Sequence, residues 1–181
     1  ATDSHRLSSS SIEIDSNTHI ESIILPKKTI FQLISLLELS NNPIKISNNK
    51  SKIKFEMNTG VLISKVIDGR FPDYNKVIPK DNDKILELKL SEFKNSIERV
   101  TTVSSDRKEG LKMLISKESV QLTVNNPNSG EGVENINAKF NSDNLNISFN
   151  SRYLTDIASQ IENDSIFIYL KDPGSPVLIK D

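Results

Sequence analysis

The sequence predicts an α+β fold in which antiparallel strands alternate with three amphipathic helices. Apolar and polar residues alternate at every second position over much of the chain, as they do in half-buried strands. Three segments replace this period with the spacing of a helix. The alternating segments are joined by short turns bearing Asn or Gly, which leave no room for crossover connections. The strands are therefore expected to pair in antiparallel sheets.

The strand-like segments run from one end of the chain to the other. The first ends at residues 12–14, where Ile12 and Ile14 flank Glu13, and residues 21–25 (ESIIL) precede the first helix. Alternation alone predicts which residues point inward, because successive side chains of a strand point to opposite faces. The remaining predicted strands are Ile44–Ile46, Ile53–Met57, Val61–Ile67, Ile85–Leu90, Leu111–Ser116, Val120–Val124, Ile136–Phe140, Leu145–Phe149, Ile166–Leu170 and Val177–Ile179.

Three helices are predicted, at Lys27–Leu39, Ser91–Val103 and Ser151–Ile161. The first is entered through a proline, the second has Ser91 as a candidate N-cap, and the third has Asn150 in that position. Each helix is expected to bury one apolar face on a sheet and to leave its polar face open. The residues expected to face inward are Ile30, Phe31, Leu33, Ile34 and Leu37 in the first helix, Phe93, Ile97 and Val100 in the second, and Leu154, Ile157, Ala158 and Ile161 in the third.

The layout of strand, helix and returning strands repeats along the chain. The predicted helices begin near residues 27, 91 and 151. A repeat of layout at this scale is typical of rings, arrays and solenoids. Between the first two units, Asp68–Lys80 contains two prolines, a glycine and two aromatic residues, which predicts a linker that packs. Asn125–Gly132 is predicted to be a long hairpin loop.

Composition limits the possible functions. The chain has 181 residues, is 35% hydrophobic and 26% charged, and contains no cysteine. It can bury a core without disulfides, and it contains no apolar stretch long enough to cross a bilayer, which favours a cytoplasmic location. The net charge is −1, from 23 basic and 24 acidic side chains. If nucleic acid is a partner, the positive charge must therefore be gathered on one surface.

No catalytic, metal or cofactor site is predicted. His5 and His19 have no partner at the spacing of metal ligands, and Asp3, Ser4 and His5 are too close in sequence to form a catalytic triad. The GEG sequence at 130–132 is not followed by the start of a helix, which a phosphate-binding loop requires. The residues alone also allow a β-rich surface adhesin, whereas a hydrolase would need a cluster of titratable groups that the sequence does not reveal.

Four motifs make the sequence more specific. ATDSHRL, DGRFPDYNKVIPK, FNSRYLTDI and SPVLIKD occur in this order over the whole chain. Together they resemble the beta subunit family of bacterial DNA polymerase III, the sliding clamps. The resemblance implies a DNA-clamp fold, with sheets outside and helices lining a hole, in a homodimeric ring. It implies a processivity factor without catalytic activity or cofactor that encircles duplex DNA without sequence specificity.

The resemblance also implies a division into domains and a set of partners. Residues 1–74 would be the latter part of the central domain, and 75–181 the third domain without its final strand and tail. The first domain would be absent, so this chain alone would not close a ring. The implied partners are duplex DNA, the catalytic subunit of the replicative polymerase, the clamp loader, and other repair and replication proteins that insert a peptide into a pocket.

Three groups of site residues are carried over by this resemblance. In the peptide pocket, lysine stands at position 76 where the family commonly has arginine, and Tyr153 is assigned both to the pocket and to the DNA side. The pocket residues are Thr2, His5, Arg6, Leu7, Pro72, Lys76, Val77, Tyr153 and Pro176. The DNA-facing residues are Lys27, Lys28, Arg107, Asn150, Arg152 and Tyr153. The ring-interface residues are Thr102, Val103, Glu131 and Glu134, of which the two glutamates are expected to pair with basic residues of the absent first domain.

Overall fold

The structure is a computed structural model that describes residues 1–13, 22–38, 42–49, 51–104 and 110–180. It divides into two compact units. The first comprises Ala1 and Ser8–Asp73, and the second comprises Thr2–Leu7 and Tyr74–Asp181. The boundary near residue 73 falls within the stretch that the sequence predicts to be a linker. None of the described helices is both long enough and apolar enough to pass through a bilayer.

In its described residues, the first unit contains one helix and a small sheet. Helix α1 spans Lys27–Leu37, and strands β1 (Lys45–Asn48), β2 (Lys52–Met57) and β3 (Gly60–Lys65) pair in the order β1-β2-β3. Phe55 lies opposite Ile46 on one side and Leu62 on the other, so these three apolar side chains share a face. A hydrogen bond of 2.7 Å between the hydroxyls of Thr29 and Ser64 connects α1 to β3.

The predicted buried face of α1 is wrong for three of its five residues. Ile30, Phe31 and Ile34 are 37%, 56% and 48% exposed, whereas Thr29 is buried. The physical reason is that the three strands described in this unit form a sheet too narrow to cover a wide helical face, and the side that they enclose is the one around Thr29. The predicted end of this helix at Leu39 lies outside the described residues.

The strand predicted to end at residues 12–14 is also wrong in its described part. Ile12 is 86% exposed, and residues 8–13 form no strand. Alternation without a neighbour to pair with does not make a strand, and no described strand pairs with this segment. Ile14 lies outside the described residues. The predicted strand at 21–25 is reduced, in its described part, to an isolated bridge between Ile24 and Ile67.

The second unit is built on a seven-stranded antiparallel sheet with the strand order β10-β9-β4-β7-β6-β5-β8. Its strands are β4 (Lys84–Lys89), β5 (Gly110–Ile115), β6 (Ser119–Asn126), β7 (Gly130–Phe140), β8 (Leu145–Asn150), β9 (Ser165–Leu170) and β10 (Leu178–Lys180). Helices α2 (Leu90–Val100) and α3 (Ser151–Ala158) pack against each other. Short 3-10 helices occur at Tyr74–Lys76 and Thr101–Val103.

The predicted core of this unit is confirmed. Phe93, Ile97 and Val100 of α2 are fully buried, as are Leu154 and Ala158 of α3. They join inward residues of the strands in one continuous hydrophobic cluster. Ile157 and Ile161 are only half-buried, and Ile161 packs at the edge of the cluster. Burial of each fully enclosed side chain of this size contributes about 1.5–3 kcal/mol to stability.

One predicted helix cap is confirmed and the other is wrong. The Asn150 side chain accepts a hydrogen bond of 3.0 Å from the backbone N–H of Arg152, as an N-cap should. Helix α2 instead begins at Leu90, directly after β4, with Lys89 in the cap position and no side-chain cap. The N–H of Leu90 donates to the carbonyl of Asp164 at 2.8 Å, so the chain after α3 supplies an acceptor for one N–H group at the helix start.

The predicted hairpin loop at 125–132 is mostly strand. Strands β6 and β7 extend to Asn126 and from Gly130, which leaves residues 127–129 as the turn. The buried Asn126 side chain accepts hydrogen bonds from the N–H groups of Asn128 and Ser129, at 2.9 and 3.2 Å, and this closes the turn locally. Gly130 has a φ of 101°, which favours glycine.

Two glycines provide a matched test of how closely α2 approaches the sheet. A Cβ at Gly132 would lie 2.7 Å from the backbone oxygen of Val100, whereas a Cβ at Gly110 would meet nothing within 4 Å. Gly132→Ala is expected to destabilise the chain by about 1–3 kcal/mol, because backbone must move to make room. Gly110→Ala is expected to change stability by less than about 0.5 kcal/mol. Urea denaturation followed by circular dichroism measures both, and equal effects would contradict the close approach.

Candidate functional site

The loop Thr2–Leu7 is closed by its own hydrogen bonds. Thr2 and Leu7 form a β-bridge, and the Thr2 hydroxyl donates to the carbonyl of Arg6 at 2.8 Å. The Asp3 carboxylate accepts from the backbone N–H groups of His5 and Arg6, at 3.1 and 3.0 Å. Ser4 between them has a φ of 74°. Asp at the first position of such a turn is favoured for this bonding pattern, so the sequence TDSHR itself shapes the loop.

Arg6 attaches this loop to helix α3. Its Nε lies 3.0 Å from an oxygen of Asp3, and its Nη1 lies 2.7 Å from an oxygen of Asp156. The guanidinium carbon is 4.4 Å from the centroid of the Tyr153 ring, within the range of a cation–π interaction. His5 stacks on the same ring, with the two centroids 6.4 Å apart. Tyr153 and Asp156 are three residues apart on α3 and so share one face of the helix.

The charged groups of Arg6, Asp3 and Asp156 stabilise one another. The carboxylate of Asp156, bonded to the guanidinium, raises the pKa of Arg6 above its ordinary value. The backbone N–H of Arg6, followed by that of His5 and the Arg6 side chain, lowers the pKa of Asp3 below its ordinary value. Both shifts favour the charged forms, so Arg6 and Asp3 remain an ion pair throughout the neutral range.

The structure thus brings four predicted pocket residues together, namely Thr2, His5, Arg6 and Tyr153. Leu7 closes the loop and is half-buried. The other members of the predicted pocket are distributed over both units: Lys76 and Val77 lie at the 3-10 helix of the second unit, Pro176 lies before β10, and Pro72 belongs to the first unit. The carbonyl of Pro176 accepts a hydrogen bond of 3.0 Å from the Asn82 side chain.

The described residues predicted to face DNA lie at the beginnings of two helices. Lys27 and Lys28 open α1, and Arg152 is the second residue of α3; all three are exposed. No acidic residue occupies the first turn of either helix. Cations at a helix N-terminus are opposed by the helix dipole, so these positions carry a cost in helix stability. Asn150 is the N-cap of α3, and Arg107 lies outside the described residues.

The predicted ring-interface residues lie near the end of α2 and on β7. Thr102 is exposed and its hydroxyl donates to the carbonyl of Arg99 at 2.7 Å, while Val103 is half-buried. Glu131 is exposed on β7. Glu134 is already paired within the chain: its two oxygens accept from Nε and Nη2 of Arg99, at 2.8 and 2.9 Å.

Two participants in these clusters were not predicted from the sequence as site residues. Asp156 is not among the residues predicted to face inward from its helix, and its spacing of three residues from Tyr153 places both on one helix face. Arg99 is likewise not among the residues predicted to face inward from its helix, and the sequence gives no indication of its partner on β7. Among the described residues, no group of three or more His, Asp or Glu side chains is arranged to hold a metal ion.

Comparisons with known proteins give a consistent result. Residues 1–73 match the family described as "DNA polymerase III beta subunit, central domain", and residues 75–181 match "DNA polymerase III beta subunit, C-terminal domain". The chain is 36% identical to the beta sliding clamp of Caulobacter vibrioides (strain NA1000 / CB15N) over 100% of its own length and 49% of that protein. It is 30% identical to the beta sliding clamp of Escherichia coli (strain K12), over 100% of the chain and 50% of the relative.

Solved structures agree with these matches. A sliding clamp from Bartonella birtlesii bound to griselimycin superposes with a TM-score of 0.84 at 39% identity, over 88% of this chain and 43% of that one. The clamp from Caulobacter crescentus gives a TM-score of 0.84 at 36% identity, over 90% and 43% of the two chains. The chain spans about half the length of the curated relatives it matches.

The pair of Arg99 and Glu134 generates a prediction about pH. The Arg99 side chain is the largest cause that lowers the pKa of Glu134 below its ordinary value of 4.5. The pair therefore contributes stability above that pH, and the contribution is lost as the pH falls through the lowered pKa. Arg99→Gln should raise the pKa of Glu134 towards its ordinary value in an NMR titration of the carboxyl carbon. Lys139→Gln, which removes the partner of Glu87, serves as the control, and an unchanged Glu134 pKa in Arg99→Gln would contradict the assignment.

Proposed function

The chain belongs to the DNA polymerase III beta subunit family, and we therefore propose that it is part of a sliding clamp. The whole clamp encircles duplex DNA without reading its sequence and tethers the replicative polymerase, which makes it a processivity factor. It has no catalytic activity or cofactor of its own, and it works in the cytoplasm. Nothing in the comparisons supports the surface adhesin that the strand pattern also allows.

One observation carries this proposal. Two consecutive domains of the same family match consecutive parts of the chain, at residues 1–73 and 75–181, and leave almost nothing unmatched. We assign residues 1–74 to the latter part of the central domain and 75–181 to the third domain. Because the relatives are about twice as long, closing a homodimeric ring requires polypeptide beyond the residues of this chain.

The basic first turns of α1 and α3 support the proposed DNA surface. Lys27, Lys28 and Arg152 are exposed at helix N-termini that carry no compensating acid. Such termini also present backbone N–H groups with a positive dipole, which favours phosphate. Contacts to phosphate position a protein on DNA but carry no sequence information. The proposed DNA-facing set includes Asn150, Tyr153 and Arg107 as well.

The mechanism follows from enclosure. Individual contacts between cations and phosphates are weak and are screened by salt, so a ring that relies on them can slide. A closed ring leaves a DNA without ends only when a protein interface opens. The protein interface therefore determines whether the ring stays on the DNA, whereas the weak phosphate contacts allow it to slide. We assign Thr102, Val103, Glu131 and Glu134 to that interface, where the Arg99 partner of Glu134 becomes part of the contact surface.

The closed loop and its neighbours support the proposed peptide pocket. Thr2, His5 and Arg6 offer polar groups beside the aromatic face of Tyr153. The proposed set also contains the apolar residues Leu7, Pro72 and Val77, together with Lys76 and Pro176. Apolar surface with a few fixed polar groups is the usual composition of a peptide site. The proposed users are the polymerase catalytic subunit, the clamp loader and other replication and repair proteins.

A double substitution tests the pocket. In a full-length clamp containing this chain, Arg6→Ala with Leu7→Ala should weaken a polymerase-derived clamp-binding peptide by about 100-fold or more, since both anchors of a small site are removed. Calorimetry measures the affinity, and sedimentation should show an unchanged ring. The matched control is Lys112→Ala with Leu114→Ala, which removes an exposed cation and an exposed apolar residue from β5. Unchanged affinity in the first variant would refute the pocket assignment.

A salt titration tests the DNA surface. This chain should bind a short linear duplex only weakly, and its affinity should fall steeply with salt. Replacing Lys27, Lys28 and Arg152 together by Gln should reduce the slope of log affinity against log salt by about 2–3, because each lost phosphate contact removes about 0.9. Fluorescence anisotropy measures the slope. Replacement of exposed Lys112, Lys117 and Lys171 by Gln changes the net charge equally and should leave the slope unchanged. Tight binding to the linear duplex at physiological salt would argue against enclosure.

A further inference from the structure

We propose that Asp156 is a positioning residue that holds Arg6 over Tyr153 and, together with Asp3, makes the Arg6 side of the peptide pocket select neutral over acidic peptide residues. The inference rests on the proposed peptide pocket and specifies its preference.

The geometry shows one guanidinium shared among three neighbours. The carboxylate of Asp3 takes the Nε edge at 3.0 Å, that of Asp156 takes Nη1 at 2.7 Å, and the Tyr153 ring lies 4.4 Å below the central carbon. An arginine side chain has several rotatable bonds, so a single exposed ion pair would position it poorly. Contacts from three directions restrict it to one orientation. Of the two carboxylates, only that of Asp156 comes from outside the loop.

Asp156 can be changed without disturbing the loop or the core. The loop is closed by the Thr2–Leu7 bridge and by hydrogen bonds to Asp3, none of which involves α3. Asp156 is exposed, and its backbone carbonyl accepts from the Ser159 hydroxyl at 2.7 Å, a bond that does not depend on the side chain. Removing the carboxylate therefore releases the Arg6 side chain while leaving its backbone in place. Replacement of Asp156 therefore tests how the Arg6 side chain is positioned without changing the fold of the loop.

The charge of the cluster determines the preference. Two carboxylates offset one guanidinium, so the three groups together carry one negative charge when His5 is neutral. A guanidinium has five N–H donors, and the two contacts with carboxylates leave donors for a further acceptor. A carbonyl or amide oxygen can use these donors without repulsion. A peptide carboxylate would be repelled by both Asp3 and Asp156, since like charges at short range disfavour each other.

The test compares paired peptides on the full chain. A polymerase-derived apolar clamp-binding peptide is prepared with Gln or Glu at each position in turn, and affinities are measured by calorimetry at low salt. At one or more positions the native chain should prefer Gln by about fivefold or more, as expected for a partly exposed charge pair. Asp156→Asn should reduce that preference to below about twofold. Glu162→Gln removes an exposed acid from the same unit and should leave the preference unchanged.

The outcomes separate this inference from the proposed function. If Asp156→Asn weakens Gln and Glu peptides equally, the carboxylate has only a structural role and the selectivity is refuted. If the native chain binds no peptide, the proposed pocket fails, and the positioning of Arg6 is judged by the NMR signals of its Nη protons, because Asp156 accepts from Nη1. Exchange of the Nη1 protons with water should become about threefold or more faster in Asp156→Asn, as for loss of one exposed ion pair. Unchanged exchange would overturn the positioning role.

Discussion

Burial of the inner face of the seven-stranded sheet by α2 and α3 is the constraint on which the candidate sites depend. Strand β8 runs directly into α3, and Leu154 and Ala158 must point into the core. These contacts fix the rotation of the helix about its axis, which places half-buried Asn150 at its start and Arg152 on the exposed side of its first turn. The same rotation presents Tyr153 and Asp156 to the loop that carries Arg6. Hydrophobic packing thus fixes the positions of polar groups that contribute little to stability themselves.

The sequence predicted the second unit better than the first, and the difference is physical. Phe93, Ile97 and Val100 are buried because a wide sheet and a second helix lie against them. Phe31 has equally good helical spacing, yet it is exposed because the sheet in the described part of its unit has three strands. Periodicity shows which face of a helix can be buried, but the size of the opposing surface decides whether it is. Ile12 fails for the related reason that no described strand pairs beside it.

The candidate site was predictable in part. Family resemblance indicated His5, Arg6 and Tyr153, which the structure brings together. It did not indicate Asp156, which is 150 residues from its partner in the chain, nor the partnership of Arg99 with Glu134. Ion pairs between distant segments leave no periodic pattern, because one exposed charge has the same local sequence whether or not it is paired. Helix capping showed the same limit: the chain after α3 supplies the acceptor at the start of α2.

The basic first turns of α1 and α3 have a consequence for engineering. A designer who wished to raise the melting temperature would place Asp or Glu at these positions, where the helix dipole rewards a negative charge. The same substitutions would repel polyanions from the exposed helix starts where Lys27 and Arg152 lie. Thermal stability and the proposed contacts with phosphate therefore favour opposite charges at these few positions, as is common where activity requires locally unfavourable residues. A variant with a higher melting temperature would have to gain its stability elsewhere, for example through substitutions on the exposed apolar face of α1.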